Sequence, residues 1–184
     1  MCIRDSFVSE MDKLSVGPAL DPTTQIGPVV SDTQLKSNLS YVEIARNEGC
    51  EVVSGQHLAE RNTGYFQRPG VFLNANNKMR SSREEIFGPV ASIIKVDDFE
   101  EAVATANDTE FGLSSAICTR SLYYAREFKR LSEAGMAMVN LPTAGVDYHV
   151  PFGGRKNSSY GSREQGRAAI DFYTTTKTTY SFAG

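Results

Sequence analysis

Features that mark several protein classes are scarce in this sequence. It contains no tryptophan and only three cysteines, Cys2, Cys50 and Cys118, which are an odd number and lie far apart. Cysteines in this number and spacing fit neither a disulfide framework nor a zinc site, and they favour a reducing, cytoplasmic compartment. Apolar runs are also short, since none approaches the roughly 20 residues that cross a membrane. No signal peptide is indicated at the start of the chain.

Basic charge is not in excess either. Nineteen Lys and Arg stand against 22 Asp and Glu, for a net charge of -3. A nucleic-acid-binding protein usually carries a basic excess or stripe, so nucleic acid is not an expected partner. The nucleotide-binding patterns GxGxxG and GxxxxGK[ST] are missing. His57 and His149 have no carboxylate or thiol at ligand spacing, so no metal site is expected, and the residues alone reveal no nucleophile–base pair.

The overall composition is that of an ordinary globular protein. Its 184 residues are 40% hydrophobic and 22% charged, which suits one domain or one and a half. Strand and helix alternate between residues 51 and 140, which predicts an α/β fold with a parallel or mixed sheet and flanking helices. Strands are predicted at 51–53, 71–73, 90–96, 114–118 and 136–140, and helices at 31–49, 98–107 and 121–133, the last ended by Gly135.

The helix predicted at 31–49 carries several boundary signals. Ser31 and Gln34 match a capping box, and Val30 and Leu35 stand at the positions of a hydrophobic staple. Gly49 provides a C-terminal stop.

The last part of the sequence has a different character. Residues 142–162 are rich in Gly, Pro and Ser and predict a long loop, followed by a short helix at 163–171. Residues 173–180 are rich in Thr and Tyr and have high β propensity. A terminal strand without a partner in its own sheet often pairs with another chain, so this segment predicts an oligomerisation strand.

One segment is unusual on physical grounds. Glu-Glu-Ile-Phe-Gly-Pro-Val at residues 84–90 places two carboxylates before an aromatic ring and a rigid Gly-Pro turn. A carboxylate beside a ring suits a sugar diol and a flat heterocycle, because it accepts two hydroxyl hydrogen bonds while the ring packs on the heterocycle. The alternative interpretation is a loop with solvated glutamates.

This segment resembles a hallmark stretch of the NAD(P)-dependent aldehyde dehydrogenase superfamily. The similarity covers nearly the whole chain, with six blocks in the family's order. They lie at residues 16–28, 64–71, 84–90, 107–114, 135–140 and 151–166. A finer similarity, to the α-ketoglutaric semialdehyde (2,5-dioxovalerate) dehydrogenases, rests on residues 147–156, 163–166 and 172–174. The resemblance implies part of an aldehyde-dehydrogenase-like catalytic domain, a small aldehyde substrate and a homo-oligomeric enzyme.

The resemblance also implies roles for individual residues. Glu85 matches the glutamate that accepts hydrogen bonds from the nicotinamide ribose, and Phe87 matches the aromatic residue beside the nicotinamide. Phe152 matches an aromatic residue near the aldehyde tunnel, and residues 141–150 match a specificity loop. The cofactor is NAD or NADP, and the sequence does not separate the two. Two roles remain open for Arg155: it contacts an anionic substrate, or it is an ordinary surface residue.

The family's nucleophilic cysteine and general base find no match, so no catalytic residue is assigned. Cys2 lacks the surrounding motif. We therefore expect a C-terminal portion of a longer enzyme, inactive by itself, with an unmatched leader at 1–6, a catalytic domain portion at 7–172, and the oligomerisation strand and tail at 173–184. The alternatives are a non-enzymatic oligomerisation or interaction module derived from that fold, and an unrelated small binding domain. Six ordered blocks argue against the unrelated domain.

Overall fold

The computed structural model describes residues 3–59 and 64–184. The chain forms two compact units, Met1–Lys95 and Val96–Gly184. The first unit contains α1 (Ile3–Asp12), α2 (Asp32–Asn47), β1 (Glu51–Ser54), β2 (Gly70–Ala75), α3 (Arg80–Arg83) and β3 (Val90–Ile94). The second contains α4 (Phe99–Asn107), β4 (Ser114–Ile117), α5 (Leu122–Leu131), β5 (Met136–Val139) and α6 (Ala168–Tyr173). Among the described residues, no helix is both long and apolar enough to cross a membrane.

The sheet of the first unit is mixed, as the sequence predicts. Strand β2 lies in the centre, antiparallel to β1 and parallel to β3. Phe72 faces α2, where it packs with Val42 and Ala45. Val71 and Leu73 cluster instead with Met11 of α1. Because successive strand residues point to opposite faces, helices on both faces explain why residues 71–73 of β2 are all apolar.

The predicted start and end signals of α2 are confirmed. The Ser31 side chain accepts a hydrogen bond from the Gln34 backbone amide at 3.1 Å, and Gly49 follows the helix with a φ of +92°. The predicted staple is wrong, because Leu35 is buried but Val30 is 85% exposed. Val30 lines an open groove with Phe87 instead of folding back onto the helix.

The second unit is built on a parallel pair, β4 and β5, with Ser114 opposite Met136. Helix α4 begins as predicted, since Asp98 accepts from the Glu101 amide at 2.8 Å and the Glu101 carboxylate accepts from the Asp97 amide. The alternation of strands and helices is confirmed, but these two strands form a sheet separate from β1–β3.

One predicted helix end in this unit is wrong. Helix α5 ends at Leu131, before Gly135, because the Asn107 side chain donates to the Leu131 carbonyl and accepts from the Glu133 amide. A Cβ at Gly135 would lie 2.1 Å from the Gly153 carbonyl oxygen, so its glycine is needed for close backbone approach.

The C-terminal part of the chain also differs from its prediction in where its helix begins. Helix α6 begins at Ala168 instead of residue 163, because Glu164 is paired with Phe152 in an extended bridge. The 142–162 loop is confirmed apart from a 3-10 turn at Lys156–Ser158. Residues 174–184 are exposed and form no strand within the described chain. Their pairing with another subunit stays a prediction.

Candidate functional site: the EEIFG loop

We name residues 84–88 the EEIFG loop, which connects α3 to the start of β3. Its first carboxylate is fully engaged within the unit. Glu84 accepts hydrogen bonds from Arg80 Nε at 2.8 Å and Nη2 at 2.9 Å, and from the Tyr41 hydroxyl at 2.6 Å. The Arg80 hydrogen bonds, followed by that of Tyr41, lower the pKa of Glu84 to about 2. The same contact with Glu84 raises the pKa of Tyr41.

The second carboxylate has the opposite environment. Glu85 is exposed, and within residues 3–59 and 64–184 it makes no hydrogen bond or ion pair. Its two oxygens are therefore available to accept hydrogen bonds from hydroxyl groups outside the chain. The structure thus divides the tandem glutamates into one that stabilises the loop and one that is open to a ligand.

Phe87 is presented outward in a strained conformation. Its φ of +57° lies in the left-handed region, which bulky residues seldom adopt and which costs on the order of 1–3 kcal/mol. The residue is 79% exposed and lines an open, mainly apolar groove of about 400 Å³ together with Pro28, Val30 and Pro89. An exposed ring beside an apolar groove fits a flat heterocycle.

The residue between these two is the anchor of the loop. Ile86 packs against the core cluster that contains Val42 and Phe72. Because Ile86 points inward, its neighbours Glu85 and Phe87 are both left at the surface. Both residues that the sequence nominates are exposed, and their contact with a ligand stays a prediction. The sequence gives no sign of the clamp on Glu84, in which Tyr41 and Arg80 come from different helices.

Phe152 belongs to the second unit, so the structure describes it apart from Glu85 and Phe87. It is half-buried, and its backbone exchanges two hydrogen bonds with Glu164, at 2.7 and 2.8 Å. The Lys156 ammonium steadies the same loop through the carbonyls of Asn107 and Thr109, at 2.5 and 3.0 Å. The Gly-Gly-Arg-Lys run is therefore held as a structural turn, and Arg155 within it is exposed.

The cysteines were the remaining candidates for covalent chemistry. Cys50 is buried, and this burial raises the pKa of its thiol. A thiol with a raised pKa is a poor nucleophile at neutral pH. Cys118 is exposed just after β4, and Cys2 lies outside the described residues. The described residues also contain no group of three or more side chains able to hold a metal ion.

The fold agrees with what comparison with known proteins shows. The chain belongs to the aldehyde dehydrogenase family, whose model matches residues 2–179. The α-ketoglutarate semialdehyde dehydrogenase of Haloferax volcanii is 44% identical, over 97% of this chain. The α-ketoglutaric semialdehyde dehydrogenase of Bacillus subtilis is 39% identical, over 96% of this chain. The chain spans only 37–38% of the length of these two relatives.

A solved structure supports the same fold. The aldehyde dehydrogenase of Mycobacterium tuberculosis, complexed with NAD+, superposes with a TM-score of 0.88 at 33% sequence identity. The match covers 98% of this chain and 38% of that one. Membership of the family also excludes the unrelated binding domain that the sequence left as an alternative.

Proposed function

We propose that this chain forms the cofactor-contacting and tunnel-lining part of an aldehyde dehydrogenase that oxidises a semialdehyde to a carboxylate. The observation that carries the proposal is the exposed carboxylate of Glu85, unpaired within the part of the chain that the structure describes, beside the exposed ring of Phe87. Glu85 accepts hydrogen bonds from the hydroxyls of the nicotinamide ribose, and Phe87 packs against the nicotinamide. When bound, the cofactor supplies the hydride acceptor.

The cofactor is NAD or NADP, and we favour NAD because the M. tuberculosis relative is complexed with NAD+. The substrate is a semialdehyde such as 2,5-dioxopentanoate, in keeping with the names of the relatives that are 44% and 39% identical. Phe152 contacts the aldehyde in the tunnel. The site works in a cytoplasmic homo-oligomer, to which residues 173–180 contribute a strand.

We also propose that the separate 184-residue polypeptide does not oxidise aldehydes. The sequence contains no match to the family's nucleophile and general base, and Cys50 is buried with a raised thiol pKa. Thioester chemistry needs an accessible thiolate and a base that activates water.

A hybrid enzyme tests both statements. In it, this chain replaces the matching 38% of the H. volcanii relative. The hybrid should reduce NAD with 2,5-dioxopentanoate in preference to a cationic aldehyde such as betaine aldehyde. The separate chain should give no reduction above a blank. A folded, oligomeric hybrid without activity would contradict the proposal and favour the non-enzymatic interaction module.

A further inference from the structure

Three amide side chains form a continuous chain of hydrogen bonds beneath the EEIFG loop, which we name the amide relay. Gln34 Nε2 donates to Asn38 Oδ1 at 2.8 Å, and Asn38 Nδ2 donates to Gln67 Oε1 at 3.0 Å. Gln67 Nε2 then donates to the Gly55 carbonyl at 2.9 Å. With the Asn38 amide in this orientation, the three bonds run in one direction and each one polarises the next.

The relay is buried where a polar residue is least expected. Asn38 is 0% exposed and Gln67 is 1% exposed. Asn38 also interrupts the apolar face of α2, between the buried residues Leu35 and Val42. A buried amide is retained only where its hydrogen bonds are satisfied, so its presence here calls for a purpose that an apolar residue would not serve.

That purpose is visible where the relay meets the loop. Gln34 Nε2 also donates to the Ile86 carbonyl, at 2.9 Å. Turning the Asn38 amide over would place its nitrogen 3.0 Å from the same carbonyl, so in either orientation Ile86 receives an amide donor. A Cβ on Gly88 would lie only 2.4 Å from Asn38 Nδ2, so the loop rests directly on the relay.

We propose that Gln34, Asn38 and Gln67 are positioning residues that hold the EEIFG loop in its outward, ligand-ready conformation. The Ile86 carbonyl belongs to the peptide unit directly before Phe87, so a donor fixed on it helps to keep Phe87 at its left-handed φ. Without that donor, the strained backbone relaxes and the ring loses its fixed direction. The effect on cofactor affinity rests on the proposed function, whereas the effect on loop order does not.

Because the chain contains no tryptophan, an indole placed at position 87 reports on this loop alone. The test uses the 184-residue chain with Phe87→Trp and measures its time-resolved fluorescence anisotropy. Gln34→Glu keeps the length of the side chain but removes its amide donor, at a half-buried position where folding should survive. Asn38→Asp breaks the buried part of the relay. Gln56→Glu, an exposed glutamine on another segment, is the matched control.

In the Phe87→Trp background, Gln34→Glu should lower the residual anisotropy by at least half, towards that of a chain labelled by Phe182→Trp in the exposed tail. Gln56→Glu should leave it unchanged, and circular dichroism should show equal helix content in both. Unchanged anisotropy in Gln34→Glu would overturn the inference, whether or not Asn38→Asp folds.

The hybrid enzyme, with its native Phe87, separates the two proposals. Gln34→Glu should raise KM for NAD about fivefold and change kcat less than twofold, since a mobile loop weakens binding without removing a reacting group. If Gln34→Glu lowers the anisotropy but leaves KM for NAD unchanged, the positioning role of the relay is supported and the cofactor role of the loop is refuted. A general structural defect would lower kcat and the unfolding midpoint together instead.

Discussion

At the scale of single residues, the clearest result is the unequal treatment of two adjacent glutamates. Glu84 is held by Arg80 and Tyr41, whereas Glu85 is exposed and has no hydrogen-bond or ion-pair partner among the described residues. Tandem carboxylates at a surface repel one another, and an arginine on the first relieves that repulsion. The pair therefore presents a single acceptor group to a ligand from a loop that is held in place at its start.

The ionisation of Glu84 provides a first prediction. Its pKa is about 2 in the folded chain against 4.5 ordinarily, so the interaction stabilises the fold above pH 4.5 and is lost as the pH falls from 4.5 towards 2. Carbon-detected NMR titration should show Glu84 titrating well below the ordinary range of a glutamate side chain. Arg80→Ala should move its pKa upward, and Tyr41→Phe should move it less. A Glu84 pKa unaffected by Arg80→Ala would show that the clamp is absent in solution.

The close approach of Gly88 to Asn38 provides a second prediction. Gly88→Ala inserts a methyl group 2.4 Å from an amide in a packed site, and overpacking of this kind costs roughly 1–3 kcal/mol. Urea unfolding should show that loss of stability. The matched control is Gly27→Ala, whose new methyl group would meet only the Ala19 Cβ at 3.9 Å. Equal midpoints for the two variants would contradict the packing of the loop on the relay.

At the scale of elements, local signals located most helices and strands. Ser31 and Asp98 were identified from the sequence as helix starts, and both cap their helices. The alternation of predicted strands and helices indicated a parallel or mixed sheet, and the sheet of the first unit is mixed. What failed depended on contacts distant in sequence: Val30 lines a groove instead of a staple, and the pairing of Glu164 with Phe152 delays the last helix.

The candidate site shows the same division. Glu85, Phe87 and Phe152 could be nominated because a motif resembles a family, but the amide relay joins residues far apart in the chain. One signal was present in the sequence: Asn38 is a polar residue on the apolar stripe of α2. A polar residue at such a position indicates a buried partner, but the sequence does not say which one.

The start of α2 allows a third prediction, with its own control one residue away. Ser31→Ala removes the side-chain acceptor of the Gln34 amide and should cost about 1 kcal/mol of unfolding free energy. Val30→Ala should change it by less than about 0.5 kcal/mol, because that side chain is exposed. Chemical denaturation of both variants measures the difference. A larger loss of unfolding free energy for Val30→Ala than for Ser31→Ala would indicate that Val30 packs on the helix as a hydrophobic staple after all.

At the scale of the whole molecule, the chain is about 38% of the length of its H. volcanii relative. Its exposed tail, residues 174–184, pairs with no strand among the residues that the structure describes. An extended, β-prone segment of this kind adds readily to a sheet of a second subunit. The tail and the EEIFG loop therefore have separate tasks in our account, one in assembly and the other in cofactor binding.

A fourth prediction concerns that tail. Truncating the hybrid enzyme after Tyr173, the last residue of α6, should lower its oligomeric state, as measured by sedimentation velocity, because residues 174–180 of the predicted strand are removed. Truncation after Tyr180 keeps the strand and should leave the assembly unchanged. If both truncated enzymes sediment like the parent, residues 173–180 are not an assembly strand.

The central claim is that Glu85 is the residue through which this chain binds the nicotinamide ribose. The most direct measurement is the KM for NAD of the hybrid enzyme carrying Glu85→Gln, compared with Glu100→Gln, an exposed glutamate on α4 in the second unit. Loss of charge-assisted hydrogen bonds should raise KM about tenfold or more in Glu85→Gln, equivalent to about 1.4 kcal/mol, and leave Glu100→Gln unchanged. Equal KM values for the two variants would contradict the account.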